Sequence, residues 1–331
     1  MLNGMNTALT RLLQIQLPVI AAPMAGVADA GLAVAVSRAG ALGCIGVGSN
    51  RDEAWVAAQL RTVGDVGVPF GIGFMAWSLP ADPAGFELAV RARPALLSIS
   101  FGDVAPWVQR ARSAGITVAV QAGTVAEAVA AERAGASIVV ARGSEGGGHG
   151  ENAVATLPLL QQVLDAVSIP VLAAGGIATA RGLAAVLAAG AAGAWVGTAF
   201  AGCTESTSSA AARRAMADAD ASGTTYGRTF DIAQRLAWPA QFGGRALAND
   251  FTREWAGREA ELAFLVGGTG DDPAITITAD MARARAAGDV SMAPVYCGQG
   301  VGQVRVDVPA AEVVAEFARA GELLRSAGSL G

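Results

Sequence analysis

Residues 170–196, PVLAAGGIATARGLAAVLAAGAAGAWV, contain the unit that decides the fold. The apolar run over 170–174 predicts a buried strand, and the alanine-rich stretch over 180–188 predicts a helix. Ala189-Gly190 places a glycine just past the last helical turn, which is typical of a helix end. A second apolar run begins at Gly193. The stretch therefore predicts a strand and a helix followed directly by the next strand.

The same unit recurs from residue 18 to residue 198. Apolar strands that alternate with helices are typical of a parallel sheet buried on both faces. Eight consecutive units favour an α/β fold of the (β/α)₈ TIM-barrel type over a doubly wound open sheet. The predicted strands are 18–22, 41–46, 69–74, 95–100, 117–121, 137–141, 170–174 and 193–196. The predicted helices include 31–38, 51–62, 105–113, 125–133, 157–166 and 180–188.

Residues 201–304 have a different pattern, because strand-length apolar runs disappear and helical stretches dominate. Glycine-rich connectors such as Gly243-Gly244 and Gly267-Gly268-Thr269-Gly270 separate these stretches. The predicted helices in this part are 208–219, 229–236, 252–265 and 279–287.

This change of pattern predicts two domains. Residues 1–204 together with 305–331 form the barrel, and an amphipathic helix over 309–326 closes it. Residues 205–304 form a helical C-terminal insertion, which acts as a lid or substrate domain. A plain C-terminal helical domain is the alternative.

Composition excludes several classes of protein. All 23 basic residues are arginine, so a Schiff-base lysine and a P-loop lysine are excluded. The net charge of −5 without a basic stripe argues against a nucleic-acid partner. One histidine and no CxxC pair leave a metal site without ligands. Three widely spaced cysteines, with no signal peptide and no membrane-length apolar run, lead us to expect a cytoplasmic protein without a membrane partner.

The single histidine, His149, lies in a glycine-rich run that directly follows the strand predicted over 137–141. Glycines at a strand end let a ligand approach the main chain, and histidine handles protons near neutrality. This setting favours a functional histidine over a surface or structural one. Glu145 would orient the imidazole or bridge to Arg142, with a solvated ion pair as an equal alternative. Arg142 would lie near a phosphate or a ring edge, or else point outward.

The ends of the last two strands predict an anion site. A TIM barrel works at the carboxyl ends of its strands, and its phosphate site often follows strands seven and eight. Gly175 and Gly176 follow the seventh strand, and Gly197 and Thr198 follow the eighth. Their backbone N–H groups can face a phosphate, although glycines there can also simply turn the chain. Met24 follows the first strand and is either core filler or an apolar contact for a ring.

Three aromatic residues are candidates for the wall of an apolar substrate slot: Trp77, Phe101 and Trp195. Ordinary core packing is the more usual role for any one of them.

The motifs together resemble those of the nitronate monooxygenases, formerly called 2-nitropropane dioxygenases. FMN-dependent enoyl-ACP reductases and NADH:quinone reductases are related flavin barrels. The resemblance covers the whole chain, and its most specific element runs from Glu145 to His149. The motifs, in family order and spacing, are Ala22-Pro23-Met24-Ala25-Gly26, Pro69-Phe70-Gly71-Ile72-Gly73-Phe74, Ser144-Glu145-Gly146-Gly147-Gly148-His149-Gly150, Ala174-Gly175-Gly176-Ile177 and Val196-Gly197-Thr198-Ala199-Phe200.

The resemblance implies a TIM barrel that holds noncovalent FMN, with His149 as the catalytic residue facing the substrate side of the ring. It implies further cofactor contacts from Met24 and Arg142 and a lining of the flavin by Gly147. Gly175, Gly176, Gly197 and Thr198 would take the phosphate. The chain departs from the family at three positions that commonly touch the flavin. Members often carry Gln at the position of Arg142, Asn at that of Gly73 and Gln at that of Trp195.

The implied reaction is the FMN-dependent oxidation of alkyl nitronates by O₂ to a carbonyl compound and nitrite. The expected partners are a small-molecule substrate and O₂, and a homodimer is left open. One alternative is an NAD(P)H-dependent FMN reductase of quinones or enoyl thioesters. An alternative of another class is a flavin-free, phosphate-binding barrel lyase or isomerase.

Overall fold

The barrel is closed. A computed structural model describes residues 4–267 and 273–329, so residues 268–270 of the predicted glycine connector lie outside the described residues. Eight parallel strands form one sheet, and a parallel bridge between Ile20 and Leu42 joins its two edges. This confirms the predicted TIM barrel. The described strands are β1 Val19–Ala21, β2 Cys44–Gly46, β3 Gly71–Met75, β4 Leu96–Ser100, β5 Val118–Ala122, β6 Ile138–Arg142, β7 Gly148–Gly150, β8 Val171–Ala174, β9 Gly193–Val196, β10 Thr224–Gly227 and β11 Gly243–Leu247, of which β7, β10 and β11 lie outside the barrel.

The helices end where the glycines predict. Gly40, Gly115, Gly135 and Gly190 all follow a helix and adopt positive φ, between 75° and 105°, which glycine tolerates without strain. The described helices are α1 Ala8–Leu13, α2 Ala30–Arg38, α3 Glu53–Val66, α4 Ala84–Ala92, α5 Ala105–Ser113, α6 Val125–Ala134, α7 Thr156–Ala166, α8 Ala180–Ala188, α9 Thr198–Ala201, α10 Ala210–Asp218, α11 Thr229–Ala233, α12 Asp250–Trp255, α13 Glu259–Gly267, α14 Pro273–Ala287, α15 Ala310–Ala318 and α16 Ala320–Gly328.

The barrel interior is a packed core rather than a pore. Ile20, Leu96, Ile138 and Leu172 form one buried cluster there, and Leu9 of α1 joins it. A second, larger cluster fills the layer between the sheet and its surrounding helices. Because side chains fill the interior, a ligand has room only beyond the strand ends.

The prediction that residues 201–304 lack strands is wrong. β10 and β11 form an antiparallel sheet with β7, which comes from the loop after β6. Gly243 and Gly244 are not a connector but the first two residues of β11. A Cβ at Gly243 would lie 2.8 Å from the Tyr226 ring, and one at Gly244 would lie 2.8 Å from the Tyr296 ring. Glycine occurs here because aromatic rings lie directly on the strand.

Two predicted helices are broken in the structure. The helix predicted over 252–265 is two helices, α12 and α13, separated by Gly257 at a φ of 72°. The closing helix predicted over 309–326 is α15 followed by α16, with Arg319 between them. The structure also contains α4, which the sequence pattern did not identify.

Candidate active site

The predicted site residues meet at one end of the barrel, because the carboxyl ends of its parallel strands lie together. Met24 follows β1, and its Sδ would lie 3.5 Å from a Cβ at Gly197. The Thr198 hydroxyl accepts a hydrogen bond of 2.9 Å from the backbone N–H of Gly298. The segment that carries Gly298 therefore covers the ends of the last two barrel strands.

Glycine backbone from the ends of β8 and β9 lies beside this segment. Gly175 and Gly176 follow β8 with φ values of 113° and 70°. Among residues 4–267 and 273–329, the N–H groups of Gly176 and Thr198 have no hydrogen-bond acceptor. A Cβ at Gly147 would lie 2.5 Å from the Gly298 nitrogen, so a side chain there would displace the covering segment. Two N–H donors without an acceptor suit an anion such as a phosphate, and the nearest side chain to Gly176 is that of Glu145, 3.6 Å from a Cβ built there.

His149 is held on three sides by residues from the segment after the barrel. Its Nε2 lies 2.8 Å from Oδ1 of Asp231. Its ring stacks on Trp238, with centroids 3.8 Å apart and an angle of 4° between the planes. Tyr296 packs at an angle, with its ring centroid 5.3 Å away. The His149 side chain is 10% exposed and that of Asp231 only 2%, so the imidazole has a fixed plane and a fixed partner.

Arg142 is buried at the top of β6, with 5% of its surface exposed. Its guanidinium donates to four backbone carbonyls, those of Gly146, Gly147, Gly148 and Glu151, over 3.0 to 3.3 Å. Burial lowers its pKa to about 10, and the described chain gives it no carboxylate partner. The alternative that Arg142 points outward is wrong: the guanidinium holds the loop that leads to His149.

The expectation for Glu145 is also wrong. Its carboxylate accepts hydrogen bonds from the backbone N–H of Thr156, at 2.8 Å, and from the Thr156 hydroxyl. Thr156 is the first residue of α7, so a negative charge stabilises the start of that helix. Glu145 therefore neither orients His149 nor pairs with Arg142.

Aromatic residues surround the histidine. The rings of Trp77 and Phe101 lie 5.3 and 5.4 Å from the Trp238 ring that stacks on His149. Phe101 adopts a φ of 68°, a conformation that costs a bulky residue about 1–3 kcal/mol and often occurs at functional sites. Trp195 is different, because it is buried in the barrel interior cluster. Two of the three aromatic candidates therefore belong to the wall next to His149.

A cavity of about 320 Å³ opens on the far side of this wall. Phe101 and Phe242 line it from one side, and Gln121, Arg142 and Gly150 line it from the barrel mouth. Its lining also includes alanines of α6 and the carboxylates of Glu127 and Glu151, but not His149.

Sequence reasoning missed Asp231, Trp238, Tyr296 and the covering role of Gly298. Asp231 is 82 positions from His149, and it lies in a five-residue helix without a motif. No local pattern joins residues at that separation. Gly298-Gln299-Gly300 did carry a signal, because closely spaced glycines often mark close backbone approach.

We expect Gly244→Ala to disturb the histidine. Its Cβ would lie 2.8 Å from the Tyr296 ring and 3.4 Å from Nε2 of His149, and such overpacking costs about 1–3 kcal/mol. Thermal unfolding and turnover measure the effect. Gly227→Ala on the paired strand is the matched control, because its nearest neighbour is Thr229 Oγ1 at 3.9 Å. Equal effects of the two substitutions would contradict this packing argument.

Comparison with known proteins shows the family of this chain. The family model described as nitronate monooxygenase matches residues 6–87 and 81–319. The chain belongs to the nitronate monooxygenase family. It is 33% identical to the nitronate monooxygenase of Paraburkholderia phytofirmans, with 94% of each protein covered.

Two solved structures are similar over nearly the whole chain. FabK from Thermotoga maritima superposes with a TM-score of 0.82 at 27% identity, covering 98% of this chain and 99% of that one. Nitroalkane oxidase from Streptomyces ansochromogenes superposes with a TM-score of 0.81 at 31% identity, covering 97% and 99%. The chain is thus an oxidoreductase of the nitronate monooxygenase family.

The site fits the cofactor class of the family. Nitronate monooxygenases are flavoenzymes, and the N–H groups of Gly176 and Thr198, which have no acceptor among the described residues, suit the phosphate of a flavin nucleotide. Within the part of the chain that the structure describes, no three His, Cys, Asp or Glu side chains are placed to hold a metal ion. No helix in that part has the length and apolar character needed to span a membrane.

Proposed function

We propose that this enzyme uses FMN to oxidise alkyl nitronates with O₂, giving a carbonyl compound and nitrite. The observation that carries the proposal is the position of His149 and of the free N–H groups of Gly176 and Thr198 beyond the carboxyl ends of the same barrel. Family membership supplies the reaction class, and the similarity to a nitroalkane oxidase supports the same substrates. A small-molecule substrate and O₂ are the implied partners.

FMN suits this site because its phosphate is a small anion on a single nucleotide. Gly175, Gly176, Gly197 and Thr198 would take this phosphate through backbone N–H groups at the ends of β8 and β9. Neither glycine motif is a dinucleotide fingerprint. These features favour FMN over a dinucleotide.

The flavin ring would lie towards Met24 and Gly147. Met24 lies beside Gly197, which follows β9, so its side chain would contact the ring. The backbone of Gly147 would line the ring. Arg142 would serve the cofactor by holding the carbonyls of Gly146, Gly147 and Gly148 in place. Residues 205–304 would then act as the domain that covers the substrate.

Bound FMN supplies the electron exchange between the anionic substrate and oxygen. The chain supplies the proton chemistry and the anion contacts. A protonated His149 stabilises the nitronate oxygens, and a neutral His149 removes the α-proton of a nitroalkane. Trp238 and Phe101 exclude water from this part of the mouth.

The visible spectrum of the purified protein, followed by mass analysis of the released cofactor, tests the cofactor. Oxygen uptake and nitrite formation with a nitronate test the reaction. We expect flavin absorption, FMN on extraction, and nitrite with oxygen consumption. Rapid anaerobic bleaching by NADH without nitrite formation would favour the reductase of quinones or enoyl thioesters. Protein without flavin absorption or extractable FMN would favour the flavin-free lyase or isomerase.

A further inference from the structure

The histidine has one defined partner. Asp231 Oδ1 lies 2.8 Å from His149 Nε2, and this contact is the only hydrogen bond of the Asp231 carboxylate within the described chain, since Oδ2 has none. An ionised carboxylate accepts hydrogen bonds and cannot donate them. The hydrogen of this contact is therefore carried by Nε2 of the imidazole.

We propose that Asp231 is a positioning residue that keeps the proton of His149 on Nε2, so that Nδ1 is the atom that accepts the substrate proton. This inference rests on the proposed function and deepens it. The α-carbon–hydrogen bond of a nitroalkane breaks, its proton moves to Nδ1, and the electron pair passes to the nitro group to give the nitronate.

The surroundings of the ring support this assignment. Nδ1 makes no hydrogen bond within residues 4–267 and 273–329, and the side chain keeps 10% of its surface exposed. Trp238 stacks on one face of the ring, and β7 pairs His149 with Gly244 of β11. A flip that exchanged the two ring nitrogens would leave the buried Asp231 without its partner, which is costly.

Tyr296 is a further titratable group packed on His149. Burial, followed by the nearby charge of Asp231, raises the pKa of the Tyr296 hydroxyl above its ordinary value. The phenol therefore stays neutral at physiological pH and supplies no competing negative charge. Asp231 is left as the charged group that decides which ring nitrogen carries the proton.

The proposed role of Nδ1 as a base predicts different effects on two substrates. A neutral nitroalkane needs a base to remove its α-proton, whereas a preformed nitronate has already lost that proton. Asp231→Asn replaces an acceptor with an amide that can donate to Nε2, so Nδ1 would carry the hydrogen and lose its role as base. The variant should therefore lose turnover of the nitroalkane but keep most of its turnover of the nitronate.

The experiment compares kcat/KM for a nitroalkane and its nitronate in the wild type, Asp231→Asn and Asp250→Asn. Asp250 is the matched control, because it is an exposed aspartate paired only with Arg253. We expect the nitroalkane-to-nitronate ratio to fall about 10²- to 10⁴-fold in Asp231→Asn, the range for losing a general base through the wrong tautomer, and to stay unchanged in Asp250→Asn. Equal losses on both substrates would overturn the proposal.

The single histidine allows a direct readout that needs no variant. Protein labelled with ¹⁵N-histidine and freed of any histidine tag shows one imidazole, whose proton–nitrogen couplings identify the protonated nitrogen. We expect the Nε2–H tautomer in the neutral ring, and the Nδ1–H tautomer would overturn the proposal. If the wild type oxidises neither substrate while Nε2–H is observed, the proposed function fails but the assignment of the proton to Nε2 stands.

Discussion

His149→Asn lowers the turnover of a nitroalkane by about 10²- to 10⁴-fold, the usual contribution of a general acid or base. The chain has no second histidine and no lysine, so no nearby residue of either kind can take over the proton transfer. FMN should stay bound, because the proposed phosphate pocket consists of backbone at Gly175-Gly176 and Gly197-Thr198. Steady-state kinetics and the flavin absorbance of the purified variant measure the two effects separately.

Added imidazole provides the control for folding. His149→Ala leaves a space between Trp238 and Tyr296, next to the Asp231 carboxylate. Free imidazole of the same shape should restore part of the turnover in His149→Ala. Unchanged turnover in His149→Asn would exclude the proposed role of the histidine, and loss of flavin from the variant would place His149 in cofactor binding instead.

Arg142→Leu lowers the free energy of unfolding by about 1.5–3 kcal/mol, the usual contribution of hydrogen bonds made by a charged group. The guanidinium is the donor to four carbonyls between Gly146 and Glu151, and a leucine leaves them without it. Each buried carbonyl left unpaired costs about 1–3 kcal/mol before water or a rearranged loop compensates. Denaturant unfolding with and without added FMN measures the loss.

Arg110→Leu is the matched control for Arg142→Leu. Arg110 makes two hydrogen bonds, both to Glu87, and its side chain is 44% exposed. Exposed ion pairs contribute about 0–1 kcal/mol, so this variant should unfold nearly as the wild type does. Similar stability of the two variants would show that the loop before His149 does not depend on Arg142.

The barrel follows from the sequence because its signals are local. The stretch from Pro170 to Val196 has its strand, turn, helix and stop in order, and the structure keeps all four. The small sheet of β7, β10 and β11 could not be predicted, because the need for glycine in β11 depends on residues far away in the sequence. Gly243 and Gly244 lie under Tyr226 and Tyr296, and the position of those rings depends on the whole fold.

The site, too, could be predicted from the sequence only where its signals are local. His149 and the strand-end glycines were identified because glycine runs after apolar strands are visible in sequence. Glu145, which is close along the chain, was one candidate partner of His149 in the sequence, yet Glu145 caps α7 and Asp231 makes the contact. Proximity in sequence predicted the wrong carboxylate because a loop bonded to Arg142 carries His149 away from Glu145 and onto β11.

The shared sheet of β7, β10 and β11 has an evolutionary consequence. The strand that carries the histidine belongs to a barrel loop, but its neighbour and the aspartate come from residues 205–304. Replacing residues 205–304 with an unrelated segment would remove both β11 and Asp231, which hold the imidazole in place. New substrate preferences in this lineage are therefore expected to arise by point changes on the aromatic wall rather than by modular exchange.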